Sequence, residues 1–292
     1  MLAIATSGSA SSQTSNDPAE TTFRSEVTEV RVTFSTTDQA NRVIANVQAS
    51  DFAIVDQDRV VRDFRSFSRS EYTELEVALL IDASESTSRR FHQELTSVVQ
   101  LIGQANGVPE ESFSVLSFRD VKAKVLCEGN CRSLDLGAQF PASAGGLTPL
   151  YDSIVFAAGK LGEHRDVHTR KILVVYSDGA DTISLKSLSE AVESSLANDV
   201  AIYTVDVSAT PHVFQGTRVL HGLAANTGGR YFTGESGAAT VLDAILADFH
   251  ATYTVAYKLP IYTAGFHQIR ILPTRDPNLQ FHCRRGYNYP EN

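Results

Sequence analysis

Hydrophobic positions change period along the chain, and the changes divide it into three parts. In the middle, apolar runs the length of strands alternate with stretches of helical spacing. Residues 75–82 are a short, mainly apolar run ending in a polar loop, the pattern of a strand buried on both faces. Phe91, Leu95, Val98, Val99 and Ile102 follow at i, i+4, i+7, i+8 and i+11, which predicts one face of a helix. Strands are predicted over 113–118, 123–127, 171–177, 200–207 and 230–232. Helical faces are predicted from Tyr151 to Leu161, from Leu185 through Leu188, Val192 and Leu196, over 219–225, and from Val241 to Phe249. Strands separated by helices imply right-handed crossovers, a mostly parallel sheet and helices on both of its faces, a Rossmann-like doubly wound α/β fold.

The two ends read differently. Val30, Val32 and Phe34 alternate with polar residues, as do Phe52 and Ile54, and a turn at Asp56-Gln57-Asp58 leads into an expected strand over 60–67. After the last helix, Tyr253, Val255, Tyr257 and Leu259 alternate, followed by Ile269 and Ile271, then Leu279, Phe281 and Cys283. A period of two predicts antiparallel sheet with one buried face. Neither end is long enough for a core alone. Together they supply about six strands, a small β-sandwich. The expected organisation is a flexible Ser/Thr/Ala-rich leader over 1–22, a discontinuous β-sandwich over 23–72 plus 251–288, and an α/β domain over 73–250 inserted into it.

Composition narrows the function classes. The chain has 292 residues, 42% hydrophobic, so disorder is excluded for most of it. Thirty-four acidic against 25 basic residues give a net charge of −9, which disfavours nucleic acid and anionic membranes as partners. The most apolar runs are strand-sized, so no membrane span is expected, and the short run at 2–5, with no basic residue before it, gives no evident signal peptide. Cys127 and Cys131 bracket a turn-like Glu-Gly-Asn and read either as a disulfide or as two surface thiols; Cys283 reads as a buried apolar thiol.

Three loops fall at predicted carboxyl ends of strands, where open α/β sheets bind ligands. They are Asp82-Ala83-Ser84-Glu85-Ser86, Gly145-Gly146-Leu147-Thr148-Pro149-Leu150-Tyr151-Asp152, and Ser177-Asp178-Gly179. Singly, each has a structural explanation: Ser84 or Ser86 as a helix N-cap, Thr148 as an N-cap before Pro149, Asp178-Gly179 as a turn. Jointly they offer two carboxylates and three hydroxyls, a hard-oxygen set suited to Mg²⁺ or Mn²⁺ and poor for Zn²⁺. An open position on such an ion attracts an acidic group from a partner.

This combination resembles the metal-ion-dependent adhesion site of von Willebrand factor type A domains, over about residues 73–250. The resemblance implies that Ser84, Ser86 and Thr148 ligate Mg²⁺ directly, with Asp82 and Asp178 acting directly or through water. It implies a partner protein presenting Asp or Glu. The flanks, including Ser50-Asp51-Phe52-Ala53-Ile54-Val55-Asp56 and Phe266-His267-Gln268-Ile269-Arg270-Ile271, resemble VWFA-related acidobacterial domain proteins, a group expected to be exported. Glu85 and Thr87 depart from the Gly and Met frequent at those two positions; Glu85 either lowers the ion's attraction for an acid or is a solvated loop residue.

Enzyme signatures are lacking in the sequence: no G-x-S-x-G elbow, no G-x-x-x-x-G-K-[ST] loop and no G-x-G-x-x-G loop. His164 and His168, four apart, read as structural residues of a solvated helix end. The expected function is a non-enzymatic protein-interaction module. Its rivals are a Mg²⁺-dependent hydrolase on Asp82 and Asp178, which lacks a nameable general base, and a structural module with an inactive metal site.

Overall fold

A computed structural model describes residues 29–70, 74–84, 99, 108–120, 122–131, 134, 146–164, 168–208 and 214–289. The leader, Glu85, Ser86, Thr87 and the 91–102 helical face apart from Val99 lie outside the described residues; Val99 is helical and buried.

The central strands are β5 (Glu74–Asp82), β6 (Phe113–Arg119), β7 (Lys122–Glu128), β8 (Thr169–Ser177), β9 (Val200–Asp206) and β10 (Tyr231–Thr233). They form one six-stranded sheet in the order β10-β9-β8-β5-β6-β7. It is parallel except for β7, which returns from β6 as an antiparallel hairpin. Alternation along each strand sorts side chains between two cores. Leu75, Val77, Leu79 and Ile81 join Ile172, Val174 and Tyr176 on one face, under Val99, Val241, Ile245 and Phe249. Ala78 and Leu80 join Leu173 and Val175 on the other, under Leu150, Ile154, Ala157, Leu161, Ala191 and Val192. Both faces are therefore dry, which is why these strands read as continuous apolar runs.

The described helices are α1 (Leu150–Gly162), α2 (Leu188–Ala197), α3 (Phe214–Thr227) and α4 (Gly237–His250). Leu185, expected on the helical face of α2, lies outside it and is 92% exposed. The helix starts later because Ser187 and Glu190 form a reciprocal capping box, which fixes the first turn at Leu188. His164 follows the end of α1 and bonds Glu76 at 2.7 Å, whereas His168 precedes β8, so the two share no helix face.

The chain ends build eight strands rather than six, in two four-stranded antiparallel sheets. One holds β1 (Glu29–Thr37), β4 (Phe64–Arg69), β11 (Tyr253–Lys258) and β13 (Gln280–Cys283), in the order β13-β1-β11-β4. The other holds β2 (Phe52–Asp56), β3 (Arg59–Val61), β12 (Gly265–Pro273) and β14 (Gly286–Tyr289), in the order β14-β12-β2-β3. The single strand expected over 60–67 is two. β3 pairs with β2, whereas β4 crosses to pair with β11, because Phe64 and Phe67 reach the sandwich core only from the facing sheet. Phe34 sits at the centre of that core, 5.1 Å edge-on from Phe52 and 5.9 Å from Tyr253.

Both sheets need both ends of the chain: β1 lies between β11 and β13, and β2 pairs with β12. The α/β unit is thus inserted into the sandwich. A backbone bond from Arg285 to Asn226 (3.0 Å) and a side-chain bond from Arg230 to the Asn41 carbonyl (2.8 Å) join the two.

Candidate functional site

β5 and β8 are neighbours, but the chain leaves them toward opposite faces: after β5 toward the side carrying Val99, after β8 toward the side carrying α2. Such a divergence makes the carboxyl ends of the two strands the switch point of the sheet, where open α/β sheets bind ligands. Asp82 is the last residue of β5, and Asp178 follows the last residue of β8.

Asp82 is fully buried. One of its oxygens accepts the Ser84 backbone N–H at 2.9 Å, and the other accepts the Ser177 hydroxyl at 2.7 Å. Ser177 in turn accepts the Gly179 N–H at 3.0 Å, and Asp178 accepts the Ala180 N–H at 3.0 Å, folding the loop after β8 into a tight turn. Gly179 is essential to that turn: its φ is +77°, and a Cβ would lie 2.3 Å from the Gly216 carbonyl at the start of α3. Burial raises the Asp82 carboxyl to about 6 despite these hydrogen bonds, and the charge of Asp178 pushes it the same way.

Thr148 arrives from a third stretch. Its N–H donates to the Thr182 hydroxyl at 2.7 Å and its carbonyl accepts the Thr182 N–H at 2.9 Å, tying it to the loop after β8. The preceding Leu147 carbonyl accepts the Asp120 N–H at 2.7 Å, tying it to the turn after β6. Gly146, with φ +143°, lies against Arg119, where a Cβ would sit 2.6 Å from the side chain. The Thr148 side chain is not the N-cap that its place before Pro149 suggests. Pro149 itself occupies the cap position with no side-chain cap bond. The free N–H groups of Tyr151 and Asp152 are taken instead by Ser184, at 3.1 Å each. The Thr148 hydroxyl bonds nothing among the described residues, though the residue is buried.

Asp82, Ser84, Thr148 and Asp178 are thus buried together at one edge of the sheet, and Ser86 lies outside the described residues. Among the described residues, no three His, Cys, Asp or Glu side chains gather to hold a metal, and an ion here would need hydroxyls and water for the rest of its shell. A desolvated Asp82 carboxylate with the buried Asp178 charge beside it, and hydroxyls around them, fit a hard divalent cation. Of the residues that hold the site, Ser177 and Asp152 stand within the motif loops but without an assigned role, and Thr182 and Ser184 carried no sequence signal. Asp152 accepts the Leu185 and Lys186 N–H groups at 3.0 and 2.8 Å across 33 and 34 residues of chain.

The model of the von Willebrand factor type A domain family matches residues 76–246, more than half of the chain. The chain belongs to that family. Solved structures of similar fold include an aerotolerance-related membrane protein of Bacteroides fragilis NCTC 9343, at 12% identity and TM-score 0.44, covering 60% of this chain and 98% of that one. BatB of Bacteroides thetaiotaomicron stands at 11% identity and TM-score 0.44, covering 59% and 97%. The SpRpn10 VWA domain stands at 14% and 0.41, covering 59% and 94%. No curated protein matches the sequence. Von Willebrand factor A domains are commonly protein-interaction modules. In this one the sheet edge is rimmed by exposed apolar residues on the same loops: Leu147 beside Thr148, and Ile183 and Leu185 after Thr182. No helix among the described residues is long and apolar enough to cross a membrane.

The Cys127–Cys131 pair is a disulfide, with Cα atoms 5.6 Å apart, at the far end of the β6–β7 hairpin from this edge. Cys283 is half-buried, and desolvation raises its thiol to about 12.

Proposed function

We propose that the protein is a non-enzymatic interaction module whose Asp82, Ser84, Ser86, Thr148 and Asp178 hold Mg²⁺, or Mn²⁺ in its place, to receive an Asp or Glu side chain from a partner protein. The convergence of buried oxygen donors from three distant stretches at the switch point carries this reading. A cation there would offset the desolvation of Asp82 and supply positive charge to a protein of net charge −9. The chain's own residues do the positioning: Ser177 orients Asp82, and Thr182 fixes Thr148. Leu147, Ile183 and Leu185 offer apolar contact around the charged centre, as protein interfaces require. The disulfide favours a location outside the cytoplasm, where such bonds persist.

Titration calorimetry with Mg²⁺ and Mn²⁺ tests the reading. One ion is expected to bind the intact chain, and Asp178→Ala is expected to weaken binding at least about tenfold, the loss of one charged ligand. An intact protein that binds neither ion overturns it.

A further inference from the structure

The two units differ in charge. Residues 29–70 and 251–289, which build the sandwich, carry 11 basic and seven acidic residues, a net +4, whereas residues 71–250 carry 13 against 23, a net −10. Two faces of opposite sign also lie at opposite ends of the molecule. The outer face of the β13-β1-β11-β4 sheet, at Thr33 and Thr254, meets the amino ends of β8 and β9 at Arg170 and Val200. The inner face of that sheet packs through Phe34 on Phe52 of the second sheet. The outer face of the β14-β12-β2-β3 sheet is therefore turned away from the inserted unit. The Asp82–Asp178 edge, at the carboxyl ends of the parallel strands, is the other pole.

Alternation places Ile54, Val61, Ile269 and Ile271 in the sandwich core, so Val55, Val60, Arg270 and Leu272 share the outer face of the second sheet. Val60 is 59% and Leu272 45% exposed, with Ala53 and Val55 buried between them. The β2–β3 turn stands at one end of this face. Gln57 and Asp58 have φ of +46° and +62°, the geometry of a tight two-residue hairpin. The Asp58 carboxylate leans toward the outer face, 94% exposed, and lies 3.6 Å from Arg270. So loose a surface pair leaves that carboxylate available to a divalent ion. Arg59 and Arg62, both exposed, flank it. The metal pole is complementary. Asp152, Asp178 and Asp181 put negative charge on the loops around Thr148, and the cations there, Arg119 and Lys186, lie 3.3 Å from Asp120 and 3.0 Å from Glu190. Leu147, Ile183 and Leu185 are its exposed apolar residues.

We propose that the partner of the metal site is a second copy of this chain, whose Asp58 supplies the carboxylate to the ion while Arg59, Arg62 and Arg270 meet the acidic edge and Val60 and Leu272 meet Leu147, Ile183 and Leu185. This pairing rests on the metal site proposed above. Opposite charge on the two faces orients their approach, and the apolar residues supply the contact area. Donor and acceptor lie at opposite poles, so a copy cannot satisfy its own ion. The contact joins unlike surfaces head to tail and therefore repeats from copy to copy.

Sedimentation velocity of the intact chain at up to about 0.1 mM, in excess Mg²⁺ and in EDTA, tests the proposal, since that range reveals dissociation constants of the micromolar class. Species that grow with concentration are expected in Mg²⁺, and a monomer in EDTA. Asp58→Asn, which a left-handed turn accepts, should keep Mg²⁺ binding by calorimetry and weaken self-association at least about tenfold, the loss of one charged ligand. Asp199→Asn, an acid 75% exposed and outside both faces, should assemble as the unaltered chain does. Asp58→Asn mixed with Asp178→Ala should give a dimer that grows no further, because one variant supplies only the ion and the other only the carboxylate. A chain that binds Mg²⁺ yet stays monomeric, equal assembly in EDTA, unchanged assembly of Asp58→Asn, or no dimer in the mixture overturns this pairing and leaves the metal site with a different protein as partner. A chain that binds no Mg²⁺ overturns both.

Discussion

Asp248 fastens the inserted unit to the sandwich, and replacing it by asparagine tests how that joint is stabilised. Its side chain is 2% exposed, and its two oxygens lie 3.1 and 3.2 Å from one nitrogen of Arg230, itself 5% exposed. Tyr203 donates a third bond at 3.1 Å, and the second Arg230 nitrogen reaches the Asn41 carbonyl in the sandwich at 2.8 Å. Asp248→Asn keeps the shape but turns one acceptor into a donor facing a guanidinium and removes the charge that Arg230 needs. Leaving a buried charge without its partner costs roughly 3–5 kcal/mol. The Asn41 contact is retained, and the substituted amide oxygen still accepts from Arg230, which argues for the lower end, about 3 kcal/mol. At roughly 2–4 °C per kcal/mol for a domain of 150–250 residues, the midpoint of thermal unfolding should fall by about 6–12 °C. Circular dichroism melts of wild type, Asp248→Asn and the double variant Arg230→Met/Asp248→Leu measure this. The double variant, with no orphaned charge, should lose less than the single one. A single variant that melts with wild type, or a double variant that loses the sum of both changes, would refute the reasoning.

Two further outcomes follow from the sandwich. Burial first, and Arg230 second, lower His282 to about 4 while its ring bonds the Thr37 hydroxyl at 2.9 Å. The folded value lies below the ordinary 6.5, so the unfolded chain takes up the proton first as pH falls; the stabilising contribution is complete above about pH 6.5 and is lost between there and pH 4, at most about 3 kcal/mol. Urea midpoints at pH 7 and 4.5 should differ less in His282→Gln than in wild type, and identical pH dependence would exclude His282 as the cause. Deleting residues 254–292 removes β12, β13, β14 and nearly all of β11, hence both partners of β1 and the neighbour of β2; hydrogen exchange should then show residues 29–69 unprotected while β5, β8 and β9 stay protected, and continued protection of β1 would show that the sandwich does not depend on both ends.

The inserted strands were legible because a strand buried on both faces has no polar alternation to confuse it, so 75–82 and 171–177 differ from β5 and β8 by two residues at most. The sandwich was legible as a class but not in strand number. β14 (Gly286–Tyr289) offers only two alternating positions, Tyr287 and Tyr289, too few to mark a strand, and β3 and β4 form one run in sequence but belong to facing sheets. Of the candidate site, the proposed donors stand out in the sequence as motifs, whereas the bonds that hold their loops do not. Ser177, Thr182, Ser184 and Asp152 are common polar residues whose partners lie tens of residues away.

Local periodicity, which depends on residues a few positions apart, determined the alternating α/β order and the two-ended sandwich, and motif chemistry nominated the oxygen donors at strand ends. Only the tertiary structure decided that Thr148 keeps its hydroxyl from the helix cap, that Asp248 meets Arg230, and that Arg230 reaches across to Asn41 in the sandwich. Those outcomes depend on which surfaces the packed sheets bring within hydrogen-bond reach, a distance in space that separation along the chain does not encode.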